Sequence, residues 1–311
     1  MNIIDYIKQS SSIIIVCHMR PDGDCLGAGF ALTSICDKIG RSVDFVCDTD
    51  MPDHYKFIRG AERLNAIQYG NYDLGIAVDC ADEFRLGKYY AAYMDCKNTI
   101  NIDHHVTNTR YGNINVVNGK VSSTCELLYS LIEDSGLMDE VIAEYLYMGL
   151  STDTGHFKHS NTTSATFSVA SKLASYDFDK VALTDNLYRS NTLSKLKLIS
   201  LAISKMEFYN DGSVCVIAFT QNDLKSVGCT MADTEGIIDY PMSLAGVSVA
   251  VCMSQQSTNT YKVSFRSKSI DVAYVASKFG GGGHVLASGC VIHGDRNHCV
   301  IKVVDAITEE F

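Results

Sequence analysis

The sequence predicts an α/β protein of two domains. A mostly parallel sheet with helices on both faces comes first, a smaller C-terminal α/β domain follows, and a cleft lies between them. Three observations carry this expectation. Apolar, β-branched runs alternate with helix-like segments through the first half of the chain. Several of those runs are apolar without interruption, as strands buried on both faces are. The texture then changes after Met206, where strand pairs joined by turn residues take over. A chain of 311 residues is long enough to build two cores.

The elements follow in order. Residues 12–17 (SIIIVC) read as the first strand, and residues 27–39 as a helix stopped by Gly40. Residues 41–47, 72–78 and 98–102 read as three more strands. From Ser122 the pattern turns helical: Ser122 or Ser123 caps a helix to residue 132, and Asp139 caps another towards residue 150. Residues 162–175 and 185–206 continue as helices, the last including the connection between domains. Beyond it, Asn210-Asp211-Gly212 marks a hairpin within 207–220. Residues 246–253 and 260–266 form a second strand pair. A helix over 272–279, a glycine run, a strand near 289–293 and a helix near 300–307 complete the chain. The domains are therefore placed at 1–185 and 206–311, with a helical linker over 186–205.

Bulk properties narrow the function. No stretch approaches the length of a membrane span, and no basic leader precedes the first apolar run, so a cytoplasmic protein with no membrane partner is expected. The 12 cysteines are scattered without a C-x-x-C pair, which reads as reduced thiols packed as small hydrophobes. A net charge of −10 argues against a groove for long nucleic acid, which needs a basic stripe.

Three of the predicted strands run into metal-binding side chains. The first leads into His18, Asp22 and Asp24, the third into Asp79, and the fourth into Asp103, His104 and His105. Asp153, in Ser151-Thr152-Asp153-Thr154-Gly155, is a further candidate. Taken singly, each has an ordinary role as a cap or turn residue. Taken together, three strand ends of one sheet deliver acids and imidazoles to one crevice. Acids so clustered repel one another unless cations neutralise them.

These segments, HMRPDGD, VDCAD, DHH and STDTG, resemble the four motifs of the DHH phosphoesterase family, in the family's order. Arg266-Ser267-Lys268 and GGGGH resemble the family's associated C-terminal domain. The most similar branch is the bacterial group that degrades very short RNAs and dephosphorylates pAp (3′-phosphoadenosine 5′-phosphate). The resemblance implies two metal sites: His18 and Asp22 for the first cation, Asp24, His104 and Asp153 for the second, and Asp79 between them. It also implies that His105 faces the substrate phosphate and that Asp103 orients its neighbours. The sequence departs from the family at Leu26-Gly27-Ala28, at the Ser288 that follows Ala287, and at Lys158, where Arg is common. None of these removes an implied ligand.

The donor types agree with that reading. Carboxylates and imidazoles without thiolate suit Mn²⁺ best, with Mg²⁺, Co²⁺ or Fe²⁺ also accepted. Two such ions generate a hydroxide that attacks phosphorus in line. Arg266 at a strand end clasps phosphate, and Gly280, Gly281, Gly282 and Gly283, followed by His284, offer backbone N–H groups to an anion. The expected substrates are short RNA, pApA and pAp. The alternatives are a cyclic di-AMP phosphodiesterase and a catalytically silent nucleotide-binding module. The oligomeric state stays open, a homodimer included. His54, His156, His159, His293 and His298 match no ligand position, and Cys17 and Cys80 read as strand-packing residues.

Overall fold

The computed structural model describes residues 3–311. The chain divides into two compact units, one ending at Ser190 and one running from Asn191 to Phe311.

The first unit is built on five parallel strands: β1 (Ser12–Cys17), β2 (Ser42–Cys47), β3 (Leu74–Val78), β4 (Asn98–Asp103) and β5 (Ile114–Val117). Their order in the sheet is β2-β1-β3-β4-β5, every neighbour parallel. Its helices are α1 (Ile3–Gln9), α2 (Gly23–Ile39), α3 (Tyr90–Met94), α4 (Thr124–Ile132), α5 (Glu140–Asp153), α6 (Ser164–Ala174) and α7 (Lys180–Tyr188). Successive strand residues point to opposite faces, so a central strand must be apolar throughout to bury both. On β1, Ile13, Ile15 and Cys17 join one core with Phe30 and Leu32 of α2, Leu128 of α4 and Leu146 of α5. Ile14 and Val16 join the other, under Leu86, Tyr93 and Cys96. The chain steps from β1 to β2 on one side and returns to lay β3 on the other. A crevice opens at such a reversal point, outside the carboxyl ends of the strands.

Three differences from the sequence expectation matter. Helix α2 starts at Gly23 rather than at residue 27, because Asp22 caps it: its Oδ1 accepts the N–H groups of Asp24 and Cys25, each at 3.1 Å. The turn-like Asp22-Gly23 pair is thus a helix start, and Gly23 is required where a Cβ would fall 2.4 Å from Thr152 Oγ1. The four-residue edge strand β5 was not foreseen, being half-buried and too short to show a period. The expected helical linker over 186–205 is corrected. The helix breaks at Ser190-Asn191-Thr192, and Thr192 caps a new one by accepting the N–H of Lys195 at 3.1 Å.

That new helix, α8 (Leu193–Ser204), belongs to the second unit, where Leu198 and Ala202 pack with Ile217 and Phe219. The rest of this unit is β6 (Glu207–Tyr209), β7 (Val214–Phe219), α9 (Gln221–Ser226), α10 (Asp239–Met242), β8 (Val249–Ser257), β9 (Thr260–Ser267), α11 (Val272–Ser277), β10 (Gly282–His284), β11 (Ala287–His293) and α12 (Arg296–Thr308). The sheet order is β10-β11-β9-β8-β7-β6, and only the β7–β8 pair is parallel. Residues of α11 and α12 cover one face through Val263 and Phe265. The opposite face is covered over β7 and β8, where Ile217, Ala250 and Cys252 are buried. Ladder partners share a face. Ala250, Arg266, Ala287 and His284 therefore form one row, buried at Ala250 and exposed at Arg266 and His284. Among the described residues no helix is long and apolar enough to cross a membrane.

Candidate metal centre

His18 follows β1, Asp79 follows β3, Asp103 ends β4, and His104 and His105 come next. Asp24 rides on the first turn of α2, and Asp153 is the last residue of α5. Asp79 sits in the middle. Its φ of +55° is a left-handed conformation that Asp tolerates better than most residues, and its N–H is tied to Ile102 O at 2.9 Å. Its Oδ2 lies 3.6 Å from His18 Nε2 and its Oδ1 lies 3.7 Å from His104 Nε2. Asp22 Oδ2 is 3.7 Å from His18 Nε2, and Asp153 Oδ2 is 3.5 Å from His104 Nε2. Asp24, His104 and Asp153 each offer a ligand atom within 4.8 Å of the others. Such separations are too wide for good hydrogen bonds and close enough for the donors to share a cation.

The surroundings hold these donors in place. His18 Nδ1 lies 2.9 Å from Met19 O and 2.8 Å from Arg85 Nη2, so the ring turns its other nitrogen, Nε2, to Asp22 and Asp79. Asp24 accepts the N–H of Thr124 (2.6 Å) and of Cys125 (2.9 Å) at the start of α4, where the helix dipole favours an anion. Thr124 Oγ1 donates to Asp79 Oδ1 at 2.9 Å. Asn161 Nδ2 bonds Asp153 through its backbone O at 3.2 Å and its Oδ2 at 3.4 Å. His105 Nδ1 pairs with Asp103 Oδ1 at 2.7 Å, and Asn108 Nδ2 donates to Asp103 Oδ2.

The electrostatics ask for positive charge. Burial, then the nearby Asp79 and Asp153 carboxylates, push Asp24 well above the usual carboxylate range. Burial, then Asp79 and Asp22, push Asp153 up to about 8. Burial works against charge on His105, but the Asp103 hydrogen bond and the Asp79 and Asp103 charges outweigh it and raise the ring to about 9. Carboxylates crowded so that they resist ionising, with imidazole nitrogens turned among them, fit divalent cations.

The expected residues of the second unit lie apart in kind. Arg266 is exposed on β9, and among the described residues its Nη1 bonds Phe265 O at 3.1 Å. The expectation that the whole glycine run offers its N–H groups to an anion is corrected. Gly280 and Gly281 donate to Ser277 O (3.0 Å) and Ala276 O (2.9 Å), closing the end of α11. Gly282, Gly283 and His284 form edge strand β10. Glycine is needed at Gly281, where a Cβ would fall 2.2 Å from Gly289 O.

Residues 12–150 match the DHH family, N-terminal domain, and residues 211–310 match the DHHA1 domain. The chain is 32% identical over 292 residues to a probable bifunctional oligoribonuclease and PAP phosphatase, NrnA, of Streptococcus mutans, covering 92% of this chain and 91% of the relative. The chain belongs to the DHH family. A bifunctional oligoribonuclease and PAP phosphatase of Thermus thermophilus is 30% identical over 304 residues, covering 96% of this chain and 90% of the relative. The crystal structure of an exopolyphosphatase-related protein from Bacteroides fragilis aligns with a TM-score of 0.91 at 25% identity, covering 98% of this chain and 95% of that one. As a DHH-family member the chain is a phosphoesterase, a hydrolase that uses divalent metal ions.

Several residues at this DHH site carried no signal in the sequence. Thr124, Asn108 and Asn161 are ordinary polar residues whose partners lie far along the chain or across a loop. Asn161 returns to Asp153 because α5 ends in three successive left-handed residues, Gly155, His156 and Phe157, with φ of +55°, +58° and +64°. Arg85 places Nη2 2.8 Å from His18 Nδ1. His156 touches no acid of the centre and instead meets Ser151 Oγ through Nδ1 at 3.1 Å.

A pH dependence follows. A carboxyl raised from 3.8 to about 8 on folding keeps a proton that the unfolded chain has lost, so stability falls as pH rises between those values. His105, raised to about 9, acts with the same sign at the top of that range. Protein stripped of cations with a chelator is expected to lose on the order of 5 °C in Tm between pH 5 and pH 8. Added Mn²⁺ should restore Tm at pH 8 more than at pH 5. A Tm of the stripped protein that rises over this window would contradict the charge assignment.

Proposed function

We propose that this chain is a two-metal phosphoesterase that hydrolyses very short oligoribonucleotides, pApA among them, and removes phosphate from pAp. The observation that carries this reading is the Asp79 carboxylate, with one oxygen turned to His18 and the other to His104. On this reading His18 and Asp22 hold the first cation, Asp24, His104 and Asp153 the second, and Asp79 both. The carboxylate and imidazole donors suit Mn²⁺ best and also accept Mg²⁺, Co²⁺ or Fe²⁺. When bound, the cations supply a water acidic enough to attack phosphorus near neutral pH and positive charge for the phosphoryl oxygens.

The chain's own residues do the rest. His105, its ring fixed by Asp103, donates a hydrogen bond to the substrate phosphate. Asn108 holds Asp103 in turn. In the second unit, Arg266 grips a phosphate through its guanidinium, and His284 stands on the same face two strands away. On the edge strand the N–H groups of Gly282 and Gly283 alternate in direction, so the one turned away from β11 is the backbone donor left to assist. A chain of net charge −10 favours short substrates over long polymers. The relatives named as bifunctional oligoribonucleases and PAP phosphatases, at 32% and 30% identity over nearly the whole chain, support this substrate class.

The test is a product assay with Mn²⁺ on pAp, pApA, a very short RNA and cyclic di-AMP, resolved by chromatography. Mononucleotides from pApA and RNA, and phosphate from pAp, are expected. Preference for cyclic di-AMP would replace the substrate class. No cleavage of any of the four by protein with cations bound would overturn the enzymatic reading.

A further inference from the structure

The β1–α2 connection brings a third donor to His18 and Asp22. Cys25 lies one helical turn after Asp22, on the same side of α2, and its N–H donates to Asp22 Oδ1 at 3.1 Å. Its Sγ falls within 4.8 Å of ligand atoms of both His18 and Asp22. The thiol is fully buried, so it faces its neighbours rather than water. Asp22 and Cys25 are separated by two residues, the spacing at which paired ligands on one turn commonly meet a single metal. Cys17 and Cys47 also lie at the ends of β1 and β2, but among the described residues neither joins a group of potential ligands.

We infer that Cys25 is a ligand of the first cation, which makes the two metal sites unlike in kind. The first then offers one imidazole, the Asp22 carboxylate and a thiolate, with Asp79 Oδ2 3.6 Å from the same imidazole. The second offers only oxygen and nitrogen, from Asp24, Asp79, His104 and Asp153. Coordination breaks the S–H bond, forms a sulfur–metal bond and releases one proton to solvent. A thiolate favours softer ions, so Zn²⁺, Co²⁺ and Fe²⁺ gain on Mn²⁺ and Mg²⁺ at the first site but not at the second. The inference rests on the two-metal reading above, and it departs from the sequence expectation of a centre without sulfur.

The experiment is Co²⁺ titration of the full chain, followed by bound cobalt per chain and by absorption. Two cobalt ions per chain and a near-ultraviolet sulfur-to-cobalt charge-transfer band are expected. In Cys25→Ser the band should vanish while at least one cobalt still binds, and in Cys47→Ser it should persist. X-ray absorption on the unmutated Zn²⁺ protein gives a check that needs no variant: a sulfur neighbour at about 2.3 Å from the metal. Two cobalt ions without the band, or a zinc shell of oxygen and nitrogen alone, would overturn the Cys25 ligand and leave the two-metal reading intact. Failure to bind any cobalt or zinc would overturn both.

Discussion

Asp79→Asn is expected to lower turnover on every substrate by about a thousandfold or more. The figure follows from the several kcal/mol of transition-state stabilisation that bound cations supply, at 1.36 kcal/mol for each tenfold in rate. The Asn substitution isolates the effect better than Ala. Asn also tolerates the left-handed backbone that Asp79 adopts. Its Oδ1 can still accept the Thr124 hydroxyl, now 2.9 Å from Asp79 Oδ1. What changes is Oδ2, which becomes an uncharged NH₂ 3.6 Å from His18 Nε2 and cannot ligate. Bound metal per chain should fall, while the circular dichroism spectrum stays that of the folded protein. Full turnover by Asp79→Asn with both cations in place would remove Asp79 from the centre of the mechanism.

Arg266→Ala is expected to raise KM by roughly ten- to a hundredfold with little change in kcat, as loss of a charged hydrogen bond made equally in the ground and transition states should. Arg266 is exposed, and among the described residues its side chain bonds its own strand alone, through Phe265 O. Its removal therefore leaves no buried partner unpaired, and stability should be close to unchanged. A fall in kcat at constant KM would assign it to the transition state instead. An unchanged KM for every nucleotide would deny the second unit its part in binding.

Much of the site was legible because metal ligation restricts side-chain choice and because strands of a parallel sheet all end on one side. His18, Asp79 and Asp103 follow directly from apolar runs whose period and β-branching mark them as strands. Asp153 was legible as a motif residue at the end of the helix that Asp139 caps, and α5 does end there. The start of α2 was misplaced because Asp22-Gly23 is a turn pair locally, and only the close approach of Thr152 shows why glycine stands inside a helix start. The glycine run was read for its N–H groups, whereas Gly280 and Gly281 spend theirs on the end of α11. The linker was misread because a continuous helical period hid the cap at Thr192.

By itself the sequence determined most of the longer strands and helices, the carboxylate and imidazole donors at the strand ends and the presence of two units. Those depend on local pattern and on residue type, which the chain carries wherever it goes. The tertiary structure decided which donors face which. It alone turned the two oxygens of Asp79 towards different imidazoles, seated Asp24 on the amides of Thr124 and Cys125, and brought Cys25 to His18. These are contacts between elements, many of them far apart in the chain, and they are fixed by how α2, α4 and α5 pack on the sheet. No local pattern can record that.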